Sequence, residues 1–164
     1  MQLSEDFEDF IKLLNDHHVD YMVVGGYALA LHGKPRNTGD LDIWIRISKT
    51  NANKMVSVMR EFGFASLKLK AEDFLKDNFI NQIGYPPLRI DIIGEIDGVK
   101  FEEAFENRQI IVLEDGLTIS YIGLDDFLRN KLSSGRKRDL LDAKDIEKLI
   151  KNDRKNEKGS SLER

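Results

Sequence analysis

The segment that decides the fold is VVGGYALALHGKPRNTGDLDIWIRI, residues 23–47. It begins with a short apolar run that reaches Gly25 and Gly26, and it continues through a stretch of small residues and a polar loop. A second apolar run follows, in which polar and apolar residues alternate from Asp40 onward. Such alternation is typical of a β-strand. The segment therefore predicts a strand, a short helix, a loop and a second strand that opens with carboxylates.

The alternation divides the second strand into two faces, because successive side chains of a strand point in opposite directions. The expected buried face carries Leu41, Ile43, Ile45 and Ile47, and the other face carries Asp40, Asp42, Trp44 and Arg46. Asp40 and Asp42 then lie about 6.5–7 Å apart at their Cα atoms. Two carboxylates this close repel each other unless a cation lies between them. Since hard divalent cations prefer oxygen ligands, the pair indicates a metal site.

The glycine pair supplies the second half of the pattern. Gly25 and Gly26 lie between the predicted strand and helix, where the lack of a Cβ lets backbone N–H groups approach phosphate oxygens. Taken singly, Gly-Gly is typical of a turn, and Asp-x-Asp is typical of a strand edge. Together they suit a phosphate and the metal that accompanies it, and metal ions about 3.5–4 Å apart recur in phosphoryl transfer.

One motif in this segment resembles that of a known family: Gly25-Gly26, a helical turn, and Arg36-x-Thr38-x-Asp40-Leu41-Asp42. It is similar to the first motif of the nucleotidyltransferase superfamily that includes DNA polymerase beta. Within that superfamily, the sequence most resembles the minimal and AbiEii-type nucleotidyltransferases of toxin–antitoxin loci. Gly-Ser is the familiar pair in polymerase beta relatives, and Gly-Gly is the variant often seen in the AbiEii-like branch. The resemblance implies an α/β fold: a small mixed β-sheet flanked by helices, with a helical C-terminal portion.

The resemblance also implies roles for the motif residues. Asp40 and Asp42 would hold two Mg²⁺ ions, with Mn²⁺ as an alternative. Gly25 and Gly26 would cradle the triphosphate of an NTP. An acceptor hydroxyl would attack the α-phosphate, and pyrophosphate would leave.

A third carboxylate stands in a later predicted strand. Alternation places Leu88, Ile90 and Ile92 on one face of that strand and Arg89, Asp91 and Ile93 on the other. A buried, unpaired carboxylate is costly, so Asp91 needs either an ion pair with Arg89 or a metal. In the polymerase beta fold, a third carboxylate lies on the strand beside the Asp-x-Asp strand. The resemblance therefore implies that Asp91 binds the metal nearer the attacking hydroxyl and helps to activate that hydroxyl.

The C-terminal third predicts two helices, at residues 123–132 and 138–150. The sequence from Lys131 through Arg136 and Arg138 to Asp139 and Asp142 resembles the later motif of the AbiEii-type family. Its cations, Lys131 and Arg136 in particular, are candidates for binding the triphosphate or an RNA backbone. The alternative is an ion pair between Arg138 and Asp142 on a solvated helix face.

Arg36 and Thr38 of the first motif also have two open roles. They are candidates for binding the triphosphate or for orienting the carboxylates. The plainer alternative is that both residues hold the loop by hydrogen bonds.

The composition bounds the class of protein. The chain has 164 residues, of which 41% are hydrophobic and 33% are charged. We therefore expect one globular domain over residues 1–150 and a flexible tail at 151–164. The catalytic sheet would cover residues 20–122, and the helical part would cover residues 123–150. The absence of cysteine excludes a disulfide framework and a thiolate metal site. No apolar run approaches the ~18 residues of a membrane helix, and no secretory signal pattern is present, so we expect a cytoplasmic protein with no membrane partner.

The sequence thus predicts a Mg-dependent nucleotidyltransferase that transfers an NMP from an NTP to a hydroxyl acceptor. The acceptor could be RNA or tRNA, a protein or a small molecule, and the resemblance adds a toxin–antitoxin context. The net charge of -4 argues against a protein that grips nucleic acid over its whole surface. The alternative from another class is a non-catalytic domain that binds nucleotide or, like an antitoxin, a partner protein. The presence of all three carboxylates favours the enzyme.

Overall fold

The computed structural model describes residues 3–162, which form a mixed sheet with helices around it. The helices are α1 (Glu5–Asp16), α2 (Gly25–Leu31), α3 (Lys49–Met59), α4 (Phe101–Glu106), α5 (Leu124–Ser133) and α6 (Lys137–Leu162). The strands are β1 (Tyr21–Val24), β2 (Asp40–Ile45), β3 (Ile80–Ile83), β4 (Arg89–Ile93), β5 (Gln109–Val112) and β6 (Thr118–Tyr121). A π-helical turn at Arg60–Phe64 and 3₁₀ turns at Ala65–Leu67 and Ala71–Phe74 connect α3 to β3.

The sheet has the strand order β3-β4-β2-β1-β6-β5. Strand β2 pairs in parallel with β4, and β1 pairs in parallel with β6, while the other neighbours are antiparallel. The two central strands, β1 and β2, are therefore the ones that carry the decisive segment. This mixed sheet flanked by helices confirms the predicted fold class.

Helix α1 closes one side of the core. Its N-terminus is capped by Ser4, whose Oγ accepts a hydrogen bond of 3.3 Å from the Phe7 backbone N–H. Such a cap satisfies an N–H group that the helix itself leaves unpaired. The helix then buries a stripe of apolar side chains: Phe7, Phe10, Ile11 and Leu14. Since all four residues of β1 are buried as well, the strand that leads into Gly25 is held rigidly.

The expected division of β2 into one buried face and one open face is wrong at Trp44. Its side chain is buried, and its Nε1–H donates a 3.1 Å hydrogen bond to the Gly94 carbonyl. The Phe101 ring of α4 packs edge-on against the indole, with ring centroids 5.1 Å apart. Because α4 covers this end of the strand, the open part of the second face is limited to Asp40 and Asp42. The strand also ends at Ile45 rather than Ile47.

The start of α2 and the end of α6 differ from the prediction. Helix α2 begins at Gly25 rather than at Tyr27, so the glycine pair forms its first turn. Helix α6 runs to Leu162, well beyond residue 150. Its side chains from Lys151 to Gly159 are exposed, because this part of the helix carries no apolar residue to pack. The predicted flexibility of the tail stays a prediction, and residues 163–164 lie outside the described residues. None of the described helices, α6 included, is both long and apolar enough to span a membrane.

Candidate active site

The sheet brings together the three carboxylates that the sequence singles out. In the parallel pair of β2 and β4, Asp42 lies opposite Asp91, and Asp40 lies opposite Arg89. Residues in register on neighbouring strands point to the same face of a sheet, so these side chains converge. Asp40 and Asp42 are half-buried, and Asp91 is buried, with 6% of its surface exposed.

Arg89 lies between two of these carboxylates. Its Nη2 donates to Oδ2 of Asp40 at 2.7 Å and to Oδ2 of Asp91 at 3.1 Å. Its Nε lies 3.0 Å from Oδ1 of Asp91, but the angles are not those of a hydrogen bond. The ion pair that the sequence offered as one alternative for Asp91 is therefore present. It leaves Oδ1 of Asp91 buried and without a hydrogen bond.

The Asp42 carboxyl has few interactions that would stabilise its charged form. Burial raises the pKa of its carboxyl to about 7, and the neighbouring charges of Asp91 and Asp40 act in the same direction. The charges of Arg89 and Lys131 lower the pKa, but no described group donates a hydrogen bond to this carboxyl. Burial likewise raises the pKa of Asp91, despite its bond to Arg89. A cation placed here would relieve both carboxylates.

Gly25 permits the close approach of α2 to β2. Its φ of +65° is in the left-handed region that disfavours side chains. A Cβ at this position would overlap Oδ2 of Asp42 and lie 2.8 Å from its Cγ. The first turn of α2 therefore lies directly against the Asp42 carboxylate. At Gly26, a Cβ would lie 2.9 Å from Oγ1 of Thr38, so both glycines are needed for space.

Thr38 holds the loop that leads into β2. Its Oγ1 donates to the backbone carbonyl of Asp40 at 3.2 Å and lies 3.4 Å from the Asp40 backbone N–H, which donates to it. This is the plainer of the two roles that the sequence left open. It also fixes the backbone from which the Asp40 carboxylate projects.

A second cluster links the loop to α6 through Asp142, whose side chain is 1% exposed. Both of its carboxylate oxygens accept from Nη1 of Arg36, at 3.1 and 3.0 Å, and Oδ1 also accepts from Nζ of Lys34 at 2.8 Å. The expected alternative partner, Arg138, is not the one that Asp142 contacts. Arg36 therefore links the loop to α6 through Asp142, and its role is not limited to the conformation of the loop.

Lys131 and Arg136 lie on either side of Asp139. Lys131 is buried, and its Nζ donates to Oδ1 of Asp139 at 2.8 Å and lies 3.8 Å from Oδ2 of Asp142. Arg136 donates from Nε to Oδ2 of Asp139 at 2.8 Å, but its side chain is mostly exposed. Burial would raise the pKa of Asp139, yet hydrogen bonds from Lys131 and Ser134 hold it below the usual value. The charge of Lys131 lowers the pKa of Asp42, which connects this cluster electrostatically to the carboxylates of the sheet.

We expect Asp142→Asn to lower the free energy of unfolding by about 2–3 kcal/mol, because Arg36 loses its buried counter-charge and Lys34 loses one of its two carboxylate partners. Urea denaturation measures the change. The matched control is Asp145→Asn, since Asp145 also accepts from Lys34, at 2.7 Å, but is exposed. The control should have a much smaller effect. Equal destabilisation by the two variants would contradict the structural role given to Asp142.

The residues fit a divalent cation in their chemistry, although Arg89 now occupies part of the site. As the side chains stand, no group of three His, Asp or Glu residues within the described part of the chain is arranged to hold a metal ion. Asp40 and Asp91 both face the Arg89 guanidinium instead. Even so, the buried Oδ1 of Asp91 lacks a hydrogen bond, and the Asp42 carboxylate receives no hydrogen bond from any described group. Both provide hard oxygen donors of the kind that Mg²⁺ and Mn²⁺ bind.

The sequence did not reveal which charged side chains of this site pair with each other. It offered Arg89 as a partner of Asp91 alone, and the bond of Arg89 to Asp40 was not predicted. It also did not pair Arg36 with Asp142. The sequence did contain a signal for the bond between Arg89 and Asp40. Arg89 and Asp91 share a strand face with the same spacing as Asp40 and Asp42.

The chain has relatives among solved structures and protein families. Six chains of solved structures match it. One is described as a "putative nucleotidyltransferase" of Thermotoga maritima and aligns with a TM-score of 0.56 at 17% identity, covering 89% of this chain and 91% of that chain. At this identity the likeness shows the fold alone. No curated protein matches this chain.

The family match covers nearly the whole described chain and agrees with the superfamily that the first motif resembles. The match does not identify the AbiEii-type branch, so membership of that branch stays a prediction. Residues 1–153 match a family described as nucleotidyltransferases of unknown function, DUF6036, and the chain belongs to that family.

Proposed function

We propose that this protein transfers a nucleoside monophosphate from an NTP to a hydroxyl acceptor in a reaction that depends on a divalent metal ion. The observation that carries the proposal is the placing of Asp40, Asp42 and Asp91 on one sheet face, beside the first turn of α2. The incomplete charge compensation of Asp42 supports a cation at this place. Membership of a nucleotidyltransferase family supports the reaction class in general.

Asp40, Asp42 and Asp91 would hold the metal, with Mg²⁺ as the expected ion and Mn²⁺ as the alternative. A divalent cation there would polarise the phosphate oxygens and neutralise the charge that develops on them. The acceptor oxygen would bond to the α-phosphorus as the bond from that phosphorus to the β-phosphate oxygen breaks, and pyrophosphate would leave. Asp91 would accept the released proton through Oδ1, which accepts no hydrogen bond and has only the ion-pair contact with the Arg89 Nε at 3.0 Å.

The other predicted site residues would bind and orient the nucleotide. The Gly25 and Gly26 backbone N–H groups would face the triphosphate, and the lack of a Cβ at both positions lets this first turn of α2 lie against Asp42 and Thr38. Lys131 would supply positive charge from a position fixed by Asp139, and Arg36 would do so from its bond to Asp142. Thr38 would orient Asp40, and the exposed Arg136 would contact the outer phosphates.

The acceptor class and the biological context are finer parts of this proposal. RNA or tRNA, a protein hydroxyl and a small molecule all remain acceptors, and the toxin–antitoxin role rests on the motif resemblance. A non-catalytic nucleotide-binding domain is the second candidate. The Arg89 bridge favours it, because the carboxylates of Asp40 and Asp91 already have a cation.

One experiment separates these outcomes. The protein is incubated with each α-³²P-labelled NTP, Mg²⁺ and a cell extract, and the label is followed in the RNA, protein and small-molecule fractions. We expect transfer into one fraction that EDTA abolishes, together with a rise in the melting temperature on addition of Mg²⁺ and NTP. Metal-dependent NTP binding without label in any fraction would instead indicate the non-catalytic domain.

A further inference from the structure

Arg89 is the best-bound cation of the carboxylate site. It lies in β4 on the same face as Asp91, and its Nη2 bridges Asp40 and Asp91 at 2.7 and 3.1 Å. About a quarter of its side chain is exposed, at 27%, so it has room to turn toward solvent. The carboxylates that would hold a metal ion are therefore already partly neutralised by the chain itself.

A guanidinium and a divalent ion cannot share these carboxylates without cost. Arginine stays protonated at all ordinary pH values and donates hydrogen bonds in a fixed planar fork. Each bond it makes uses an oxygen lone pair that a metal would need. Its positive charge also repels a second cation a few ångströms away, and burial strengthens that repulsion.

We propose that Arg89 is a positioning residue that competes with the divalent cation for Asp40 and Asp91, so that these carboxylates bind a metal ion only when the guanidinium turns away. This inference rests on the function proposed above. A triphosphate is the natural new partner for the released guanidinium, because arginine pairs with phosphate oxygens in a bidentate manner. Metal and NTP would then bind cooperatively, and the nucleotide-free protein would bind the metal weakly.

Mn²⁺ binding to the purified chain, followed by the electron paramagnetic resonance signal of the free ion, tests the competition without any activity measurement. Arg89→Gln removes the charge while keeping a polar side chain of similar reach. We expect Arg89→Gln to bind Mn²⁺ about ten- to hundredfold more tightly than the wild type when no nucleotide is present. The Mn²⁺ that ATP binds by itself is measured in a titration without protein and subtracted. The remaining gain in protein-bound Mn²⁺ that ATP brings should be smaller in the variant than in the wild type.

Arg46→Gln is the matched control. Arg46 follows β2, has a similarly exposed side chain at 25%, and makes two ion pairs, with Asp20 at 2.8 Å and Glu102 at 3.4 Å. It lies at the opposite end of β2 from Asp40, so its loss should leave the Mn²⁺ affinity unchanged. Arg89→Lys keeps the charge but loses the fork. It should give an intermediate affinity, and it provides the test if Arg89→Gln does not fold.

The outcomes distinguish this inference from the proposed function. Equal or weaker Mn²⁺ binding by Arg89→Gln, in a protein whose wild type transfers label from an NTP, would overturn the competition and leave the transfer intact. Absence of Mn²⁺ binding in the wild type and in both Arg89 variants, with and without ATP, would overturn both. Tighter binding in Arg89→Gln and not in Arg46→Gln supports the competition specifically.

Discussion

Asp42→Asn is expected to abolish nucleotidyl transfer while leaving the metal-free protein at least as stable as the wild type at pH 8. The activity should fall by at least about 10²–10³-fold, because the variant loses a charged ligand at the place where phosphate charge develops. The fold should not suffer, since no described group donates a hydrogen bond to this carboxyl. Transfer of labelled NMP and urea denaturation in EDTA measure the two effects.

The pKa of Asp42 also predicts how the stability of the wild type changes with pH. The pKa of Asp42 rises from 3.8 to about 7 on folding. Between these values the folded state holds more protons than the unfolded state, so this carboxyl makes the wild type less stable as the pH rises toward 7. From pH 5.5 to pH 8 in EDTA, the contribution of this carboxyl to the free energy of unfolding should fall by about 2 kcal/mol. Asp42→Asn should remove this dependence on pH. A variant that keeps its activity, or that is destabilised at pH 8, would contradict this account of Asp42.

Gly25→Ala should lower transfer about 100-fold and the free energy of unfolding by about 1–3 kcal/mol. The new Cβ would overlap Oδ2 of Asp42, and the φ of +65° is strained for alanine. Either the carboxylate or the first turn of α2 must move, so the site loses its alignment even where the fold survives. Transfer assays and thermal unfolding check the two parts.

Gly116→Ala is the control that separates strain from overlap. Gly116 also has a positive φ, +88°, but nothing lies within 4 Å of the position of its Cβ. It occupies the turn between β5 and β6, away from the carboxylates. We expect it to lose stability through backbone strain and to keep normal transfer. Comparable loss of activity in the two variants would show that the contact between Gly25 and Asp42 is not what matters.

The sequence predicted the local parts of the site because their signals are local. The apolar run at Tyr21–Val24 followed by glycines defined β1, and the period-two pattern after Asp40 defined the start of β2. The strand around Asp91 was visible for the same reason. Its place beside β2 followed from the family resemblance, and the register of Asp42 against Asp91 bears this geometry out. The catalytic and binding roles of these residues stay predictions.

The remaining features depend on which elements meet in space, and no local pattern encodes that. Arg89 reaches Asp40 across 49 positions, and Arg36 reaches Asp142 across 106. Trp44 stood on the face opposite the one that alternation marked as buried, and its contacts with Phe101 of α4 and with Gly94 come from distant parts of the chain. The spacing of charged residues offered a pair between Arg138 and Asp142 as one alternative, whereas Lys34 and Arg36 of the distant loop are the cations that bind Asp142.

The most direct test of the shared carboxylate site is the anomalous signal of Mn²⁺ in a crystal grown with Mn²⁺ and a non-hydrolysable NTP. We predict a manganese peak bound by oxygens of Asp42 and Asp91, with the Arg89 guanidinium turned away from at least one of its two carboxylates. A bound nucleotide with no manganese at these carboxylates, or manganese held only at other residues, would contradict the account.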